Sequence, residues 1–493
     1  MAARLEFELS TEPKTAYRKA AGGPMRLLVM GDFSGRENRG LQEPGTDLAG
    51  RPLVPVDVDN LEDVLFRFSP QLFLPAVEPS GPGMTVEFRS LEDFHPDALF
   101  GRLELFEALR GRRSRLLDPA TYADAARDLL EGSPAPPPES PGTEPTPEDD
   151  AGTLERLLGR RPAGPRPAPG RLDLDGLIRR IVAPHIVPGP DPQQAQLVAA
   201  VDAGIGDRVR ALLHDPAFQA LESAWRSLDR LVSGVETGED LRILVLDCTR
   251  DELAADVRGA GGDLAACGFF RALERGKAGG DPWSALVADF AFADAPGDLE
   301  LLGALGAIAS HAGGPLLAGA SPALPGSAPL AEPARWPAPS AAWGAFRSRP
   351  AARWTGLAMP RVLLRLPYGA KTDPIDAFAF EEIPGAPRHE QFLWGGPAFA
   401  CAALIARAFQ ERGWEMEPGD FLELEDLPAY VVVEDGETRM QAPTEAYLAE
   451  RAGGAILERG IMPLMGYRDR NAARLLRFQS MADPPAGLAG PWA

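Results

Sequence analysis

The chain has 493 residues, and its 71 acidic residues outnumber its 50 basic ones, for a formal charge of −21. That balance excludes a nucleic-acid binder as the default, because phosphate contact calls for a basic surface. Three widely spaced cysteines, Cys248, Cys267 and Cys401, exclude a disulfide framework or a zinc site, and no apolar run reaches the roughly 20 residues of a membrane helix.

The chain opens with "RLEFELS", in which Leu5, Phe7 and Leu9 alternate with Arg4, Glu6 and Glu8. That period of two is a strand with one apolar face. The N-terminus has acidic residues and no apolar h-region, so we expect no Sec signal and a cytoplasmic protein. A polar tether follows, to about Gly23. "MRLLVMGDFSGR" (25–36) reads as a buried strand ending in a Gly-Asp turn. "VPVDVDNLEDVLFRFSP" (54–70) reads as a strand, then a helix capped near Asp59 or Asn60. Residues 84–117 read as a strand, a turn at His95-Pro96, and one long amphipathic helix. Prolines then crowd 131–153 and 160–171, leaving little to bury, which is the composition of a semi-extended linker. We therefore expect a small α/β unit over 1–130, a Pro-rich linker over 131–170 and a larger mixed α/β unit over 171–493.

The larger unit begins with helical patterns at 174–182 and 193–234, the second broken at His214-Asp215-Pro216 with Asp215 as the next cap. Strands follow at 241–248, 282–292 and 315–321, with a capped helix, "TRDELAADV", and a second helix between them. Strand–helix alternation implies a mostly parallel sheet covered on both faces. The Pro-rich stretch 321–340 reads as a surface loop, and 427–448 as a hairpin around Asp435-Gly436. Each cysteine sits among apolar residues, as a small buried hydrophobe would.

Chemistry is sparse. In "RVLLRLPYGAKTDP" (361–374), Gly369-Ala370-Lys371-Thr372 looks like the end of a phosphate loop, but Ala370 separates the Gly from the Lys. Leu364 stands where the earlier glycine belongs, and Pro367 removes a donor. The stretch reads instead as a buried strand, 362–366, leaving the core through a Pro-Tyr-Gly turn. The five histidines, His95, His185, His214, His311 and His389, share no ligand spacing. Glu381-Glu382 has the composition of an acid/base couple but reads as a solvated loop. We expect no catalytic, cofactor or metal site, and no enzyme.

Several blocks carry a resemblance. "LLHDPAFQALESAWRSLDRLV" (212–232), "PRVLLRLPYGAKTDP" (360–374) and "APTEAYLAERAGGAILERGIMPL" (442–464) resemble the large subunit of the type VI secretion contractile sheath. Pro367, Tyr368, Gly369, Ala370, Lys371 and Thr372 look like that family's signature. "RLLVMGDFSGR" (26–36) and "VDVDNLEDVLFRFSP" (56–70) resemble the small subunit. The resemblance implies a structural subunit that polymerises around an inner tube and contracts to propel it. Its implied partners are copies of itself, the inner tube protein and the baseplate, without nucleic acid or membrane insertion. In that family the subunits are separate chains that pair; here they look fused. The family's AAA+ disassembly ATPase grips an N-terminal helix of the large subunit, and residues 171–185 show no close match to it, which argues against recycling. A sheath needs joints that survive contraction, and strand addition supplies them. Within this resemblance Arg4, Leu5, Glu6, Phe7, Glu8 and Leu9 form an exchange strand to a neighbour. A non-polymerising paralogue acting as adaptor or cap, and a nucleotide-binding enzyme using Lys371, are the alternatives.

Overall fold

A computed structural model describes residues 23–43, 48–74, 83–131, 192–277, 281–434 and 437–492. The candidate exchange strand, Arg4 to Leu9, and the linker from 132 onward lie outside the described residues.

In chain order the strands are β1 (Met25–Gly31), β2 (Val54–Val56), β3 (Gln71–Leu74), β4 (Met84–Glu87), β5 (Leu241–Asp247), β6 (Ala285–Phe292), β7 (Leu316–Ala320), β8 (Thr355–Met359), β9 (Val362–Leu363), β10 (Trp394–Gly395), β11 (Glu423–Leu424), β12 (Val431–Glu434), β13 (Glu437–Met440), β14 (Ile461–Gly466) and β15 (Ala473–Leu475). The helices are α1 (Leu61–Phe68), α2 (Pro96–Arg102), α3 (Glu107–Leu117), α4 (Tyr122–Glu131), α5 (Pro192–Leu213), α6 (Pro216–Ser233), α7 (Arg250–Gly259), α8 (Gly268–Gly276), α9 (Pro296–Ala312), α10 (Ala341–Arg347), α11 (Pro397–Arg412) and α12 (Glu450–Glu458). The fold is mixed α/β.

The chain divides into two compact units, one of residues 1–103 with 206–493 and one of residues 104–205. Among the described residues of the first unit, nine strands form one sheet in the order β11-β15-β14-β8-β7-β6-β1-β5-β2. The five pairings from β14 to β5 are parallel, and the outer pairings are antiparallel. Of the N-terminal strands, β1 and β2 thus belong to this sheet, while β3 and β4 pair with each other. β1 lies between β5 and β6, with Leu27 beside both Ile243 and Ala285. Its run Met-Arg-Leu-Leu-Val-Met-Gly is buried at every position, which suits a strand with helices over both faces. Apolar residues of α7, α8, α9, α10 and α12 join Leu28, Met30, Leu286, Leu316 and Leu357 in one core. On the other face α11 packs on β1, β6, β7 and β8, and α6 packs on α11.

Local signals set several of these elements. Asp215 accepts from the amides of Ala217 and Phe218 and Pro216 opens α6, so the helix starts where the cap and the proline place it. Thr249 and Glu252 form a capping box on α7. All three cysteines are buried and unpaired.

Two expectations change. The long helix over 96–117 is broken into α2, a 3-10 turn at Glu104–Phe106 and α3, because Leu103 is extended and both Leu103 and Phe106 turn inward and are buried. The strand over 362–366 shortens to β9, two residues paired with β10, because Arg365 turns in to meet buried carboxylates.

The second unit is helical where described. Arg113 of α3 donates to Asp202 of α5 at 2.6 Å, Gln194 donates to the Leu116 carbonyl at 2.6 Å, and Arg115 pairs with Asp128 of α4 at 2.9 Å.

Candidate functional site

α6 organises the first unit. Phe218, Glu222 and Trp225 recur at helical spacing on one face, and all three are fully buried. Phe218 packs edge-on against Phe88 and Phe94, whose rings stack with centroids 4.2 Å apart. Trp225 packs edge-on against Phe33 at 5.3 Å and donates its indole N–H to the Phe33 carbonyl at 2.9 Å. The aromatic residues of the N-terminal segment thus dock on α6, which lies within the resemblance block 212–232.

Glu222 anchors a charged network on the same face. Arg226 donates to it at 2.7 Å from the next turn, and Arg365 donates Nε to it at 2.9 Å. Arg365 also reaches Glu382 through Nη1 at 2.8 Å and Nη2 at 3.2 Å. The Tyr368 amide donates to Glu382 at 2.8 Å, and His214 Nε2 lies 3.4 Å from that carboxylate. Tyr368 lies beneath the Arg365 guanidinium at 4.3 Å, and its hydroxyl accepts from Arg226 at 3.2 Å. Burial alone would raise the Glu382 carboxyl, but the Arg365 charge, the adjacent His214 ring and hydrogen bonds from Arg365 and the Tyr368 amide pull it down to about 2. Burial pushes the Tyr368 phenol up to about 12. Desolvation opposes the Arg365 charge, yet Glu222 and Glu382 hold it well above the usual arginine value. With Glu382 held low and Arg365 held high, that pair stays charged at neutral pH and fixes the geometry of the loop. Glu382 is therefore not in a solvated loop. Arg365 and the Tyr368 amide, 17 and 14 residues earlier in the chain, draw it inside.

The signature residues form the lip of this network. Pro367, Tyr368 and Gly369 are buried, and Ala370 and Lys371 are exposed. The Gly369 amide donates to the Asp373 carbonyl, the Thr372 amide to the Gly369 carbonyl, and the Ala370 amide to Glu381 Oε1 at 3.1 Å. Thr372 Oγ1 donates to the Pro367 carbonyl at 2.5 Å. A phosphate loop needs those amides free, and here a carboxylate already sits on one of them. A Cβ on residue 369 would overlap the Glu381 carboxylate, which accounts for the glycine. The nucleotide reading of Lys371 finds no support in this geometry.

The N-terminal segment reaches the same loop. His95 caps α2 by accepting from the Asp97 amide at 3.2 Å, and its ring meets Tyr368 edge-on at 4.9 Å. Asp97 accepts from the amides of Asp376 and Ala377, both at 2.9 Å. A second buried carboxylate, Glu252 of α7, receives both terminal nitrogens of Arg51 at 2.6 Å and the Glu43 amide at 3.0 Å. Burial would raise Glu252, but hydrogen bonds from Arg51 and from the Thr249 and Glu43 amides bring it to about 2. Sequence reading found neither network. The legible signal was the helical spacing of Phe218, Glu222, Trp225 and Arg226, with an acid set among apolar positions.

Segments 25–103 and 206–493 thus share a sheet, an aromatic seam and the buried Arg51–Glu252 ion network. The chain belongs to the tail sheath family whose model is described as EvpB/VC_A0108, tail sheath N-terminal domain (VipB), which matches residues 195–482. Residues 2–131 match a second model, described as type VI secretion system, VipA, VC_A0107 or Hcp2. The chain is similar to the type VI secretion system sheath protein TssC1 of Pseudomonas aeruginosa, 35% identical over 308 residues that cover 58% of this chain and 61% of that protein. It therefore spans about three-fifths of the length of that curated relative.

Proposed function

We propose that this chain is a subunit of a type VI secretion contractile sheath, with the small-subunit and large-subunit segments carried on one polypeptide. It polymerises around an inner tube, docks on a baseplate and contracts in the cytoplasm to drive the tube outward. The observation that carries this reading is β1. A strand from the VipA-matched segment lies in the middle of the sheet built by the VipB-matched segment. Joining the two through residues 131–170 makes their pairing intramolecular, at an effective concentration set by the linker. The sheath role is structural; contraction needs no catalytic group in the subunit.

Arg4, Leu5, Glu6, Phe7, Glu8 and Leu9 act as the exchange strand to a neighbouring subunit. One edge of the nine-stranded sheet and a separate two-stranded hairpin bear on that assignment. Edge strand β2 carries Pro55, which has no N–H to offer, so this edge is a poor template. The β12–β13 hairpin pairs only within itself among the described residues and exposes Val431, leaving room for a third strand. Co-expression with the tube protein and negative-stain microscopy tests the proposal. Full-length chain should form tubular sheaths, and a deletion of residues 1–10 should leave a folded, dispersed protein. Sheaths of normal length from the deletion would remove the exchange strand from the account.

A further inference from the structure

A cavity of about 280 Å³ opens beyond the C-terminal ends of β6 and β7, lined by Asp294, Leu324, Trp336, Pro337, Trp343 and Arg459 among others. In open α/β sheets this is the side on which ligands bind. The volume is near the lower end of the roughly 300–1,000 Å³ typical of ligand pockets, so it suits one or two rings.

The walls are preorganised and apolar. The Trp336 indole N–H is spent on the Pro329 carbonyl at 3.1 Å, and the Trp343 indole N–H on the Arg459 carbonyl at 3.0 Å. Each ring therefore offers carbon surface, with no polar edge left to satisfy. Arg459 ties the wall together. Its guanidinium lies 5.2 Å from the centre of the Trp336 ring and donates to the carbonyls of Pro337 at 2.8 Å and Pro333 at 3.3 Å.

The two charges in the lining differ in their partners. Asp294 accepts from the Ser340 amide and hydroxyl, both at 2.5 Å. Arg459 is half-buried, its charge is opposed by desolvation, and no carboxylate among the described residues offsets it. A half-buried guanidinium held only by neutral carbonyls, beside aromatic walls, is a recognition element for an anion.

We propose that this cavity binds a small planar apolar ring bearing a carboxylate, with the ring against the Trp336 and Trp343 indoles and the carboxylate on Arg459. The inference does not depend on the sheath proposal, because it concerns a site within the folded chain and needs no polymer.

Isothermal titration of the purified full-length chain with indole-3-acetate, indole and tryptamine tests it. Indole-3-acetate should bind saturably at one site, indole about tenfold more weakly for want of the charge-assisted contact, and tryptamine not at all. Replacing Arg459 would loosen the wall itself, so the variants fill the cavity instead. Leu324→Trp and, separately, Ala293→Leu should abolish binding, each scored only with an unchanged cooperative melt. Equal affinity for the three probes would remove Arg459 from the site. Unchanged binding in a folded filled variant would remove the cavity, and no saturable heat up to about 10 mM indole-3-acetate would overturn the proposal outright.

Discussion

Arg365 meets Glu382 with two donors, at 2.8 and 3.2 Å, in the interior of the first unit, and Glu222 holds its third nitrogen from the opposite side. The pairing of Arg365 with Glu382 sets the path of the 361–382 loop and with it the surface on which His95 and Asp97 dock. Removing one member of a buried charged set costs more than the set contributes, because the remaining charges stay buried without a partner. Arg365→Met should therefore destabilise the chain by about 3–5 kcal/mol in urea unfolding. Arg365→Lys should recover only part of the loss, since an ammonium cannot serve both carboxylates with a planar fork. A loss within about 0.5 kcal/mol, the range of an ordinary surface change, would mean that the network is solvated.

The same carboxylates make stability depend on acid. Glu382, Glu252 and Glu445 are each held at about 2 in the folded chain, below their ordinary value. For Glu445, burial pulls the other way, and hydrogen bonds from His389 and Arg361 with the Arg361 charge outweigh it. Folded values below unfolded ones mean that the unfolded state binds more protons between them. Their stabilisation is thus fully present above the ordinary glutamate value of about 4.3 and is lost as pH falls from there toward 2. In an Asp289→Asn background, which removes the opposing titration of that buried carboxyl, urea midpoints should hold between pH 7 and 5, then drop steeply from pH 4.5 to 3. A flat profile down to pH 3 would contradict the burial of these ion pairs.

Asp289 on β6 has the opposite sign. Burial pushes its carboxyl up to about 7. The folded value lies above the unfolded one, so the neutral form favours folding and that contribution disappears as pH rises through 7. Asp289→Asn should raise the melting temperature most at pH 8, less at pH 5, and hardly at all below the ordinary aspartate value of about 3.9. A destabilisation at pH 8 equal to that at pH 5 would show that the carboxylate has a partner.

Two glycines separate backbone strain from side-chain crowding. Gly35 has φ +72°, and a Cβ there would overlap the Gln71 carbonyl oxygen, a backbone atom of β3. Gly35→Ala should cost about 2 kcal/mol or more, combining the left-handed penalty with the clash. At Gly369 the obstructing atom is the end of the Glu381 side chain, which can swing away. Gly369→Ala should cost roughly 1 kcal/mol, the value of the Ala370–Glu381 hydrogen bond. Thermal melts of the two variants should rank in that order.

If segments 25–103 and 206–493 form one folded body, the covalent linker is dispensable after folding. A protease site placed within 141–150 and cut in the native state should leave both fragments co-eluting at the intact size. After denaturation, the cut chain should refold with a yield that rises with concentration, and the intact chain should not, since cutting converts an intramolecular pairing into a bimolecular one. Separation of the native fragments would place the seam at Phe33 and Trp225 below the strength argued here.

Sequence alone determined what depends on near neighbours. The helix break at Asp215-Pro216, the Thr249–Glu252 box, the buried strands at 25–31 and 241–247 and the hairpin strands at 431–440 are written in caps, prolines and periods, all of which act within a few residues. The burial of the cysteines and the family resemblance were legible in the same way. Only the tertiary structure decided that 25–31 lies within a sheet whose other strands, apart from edge strand β2, begin past residue 240, since parallel register depends on partners more than 200 residues away. The fate of Glu382 was decided there too. A carboxylate's environment is a sum over every nearby charge and donor, and Arg365, which Glu382 meets directly, is itself held by Glu222 of α6, 143 residues away in the chain. Short-range pattern carries no record of such meetings, because chain entropy is spent on them only when the whole unit closes.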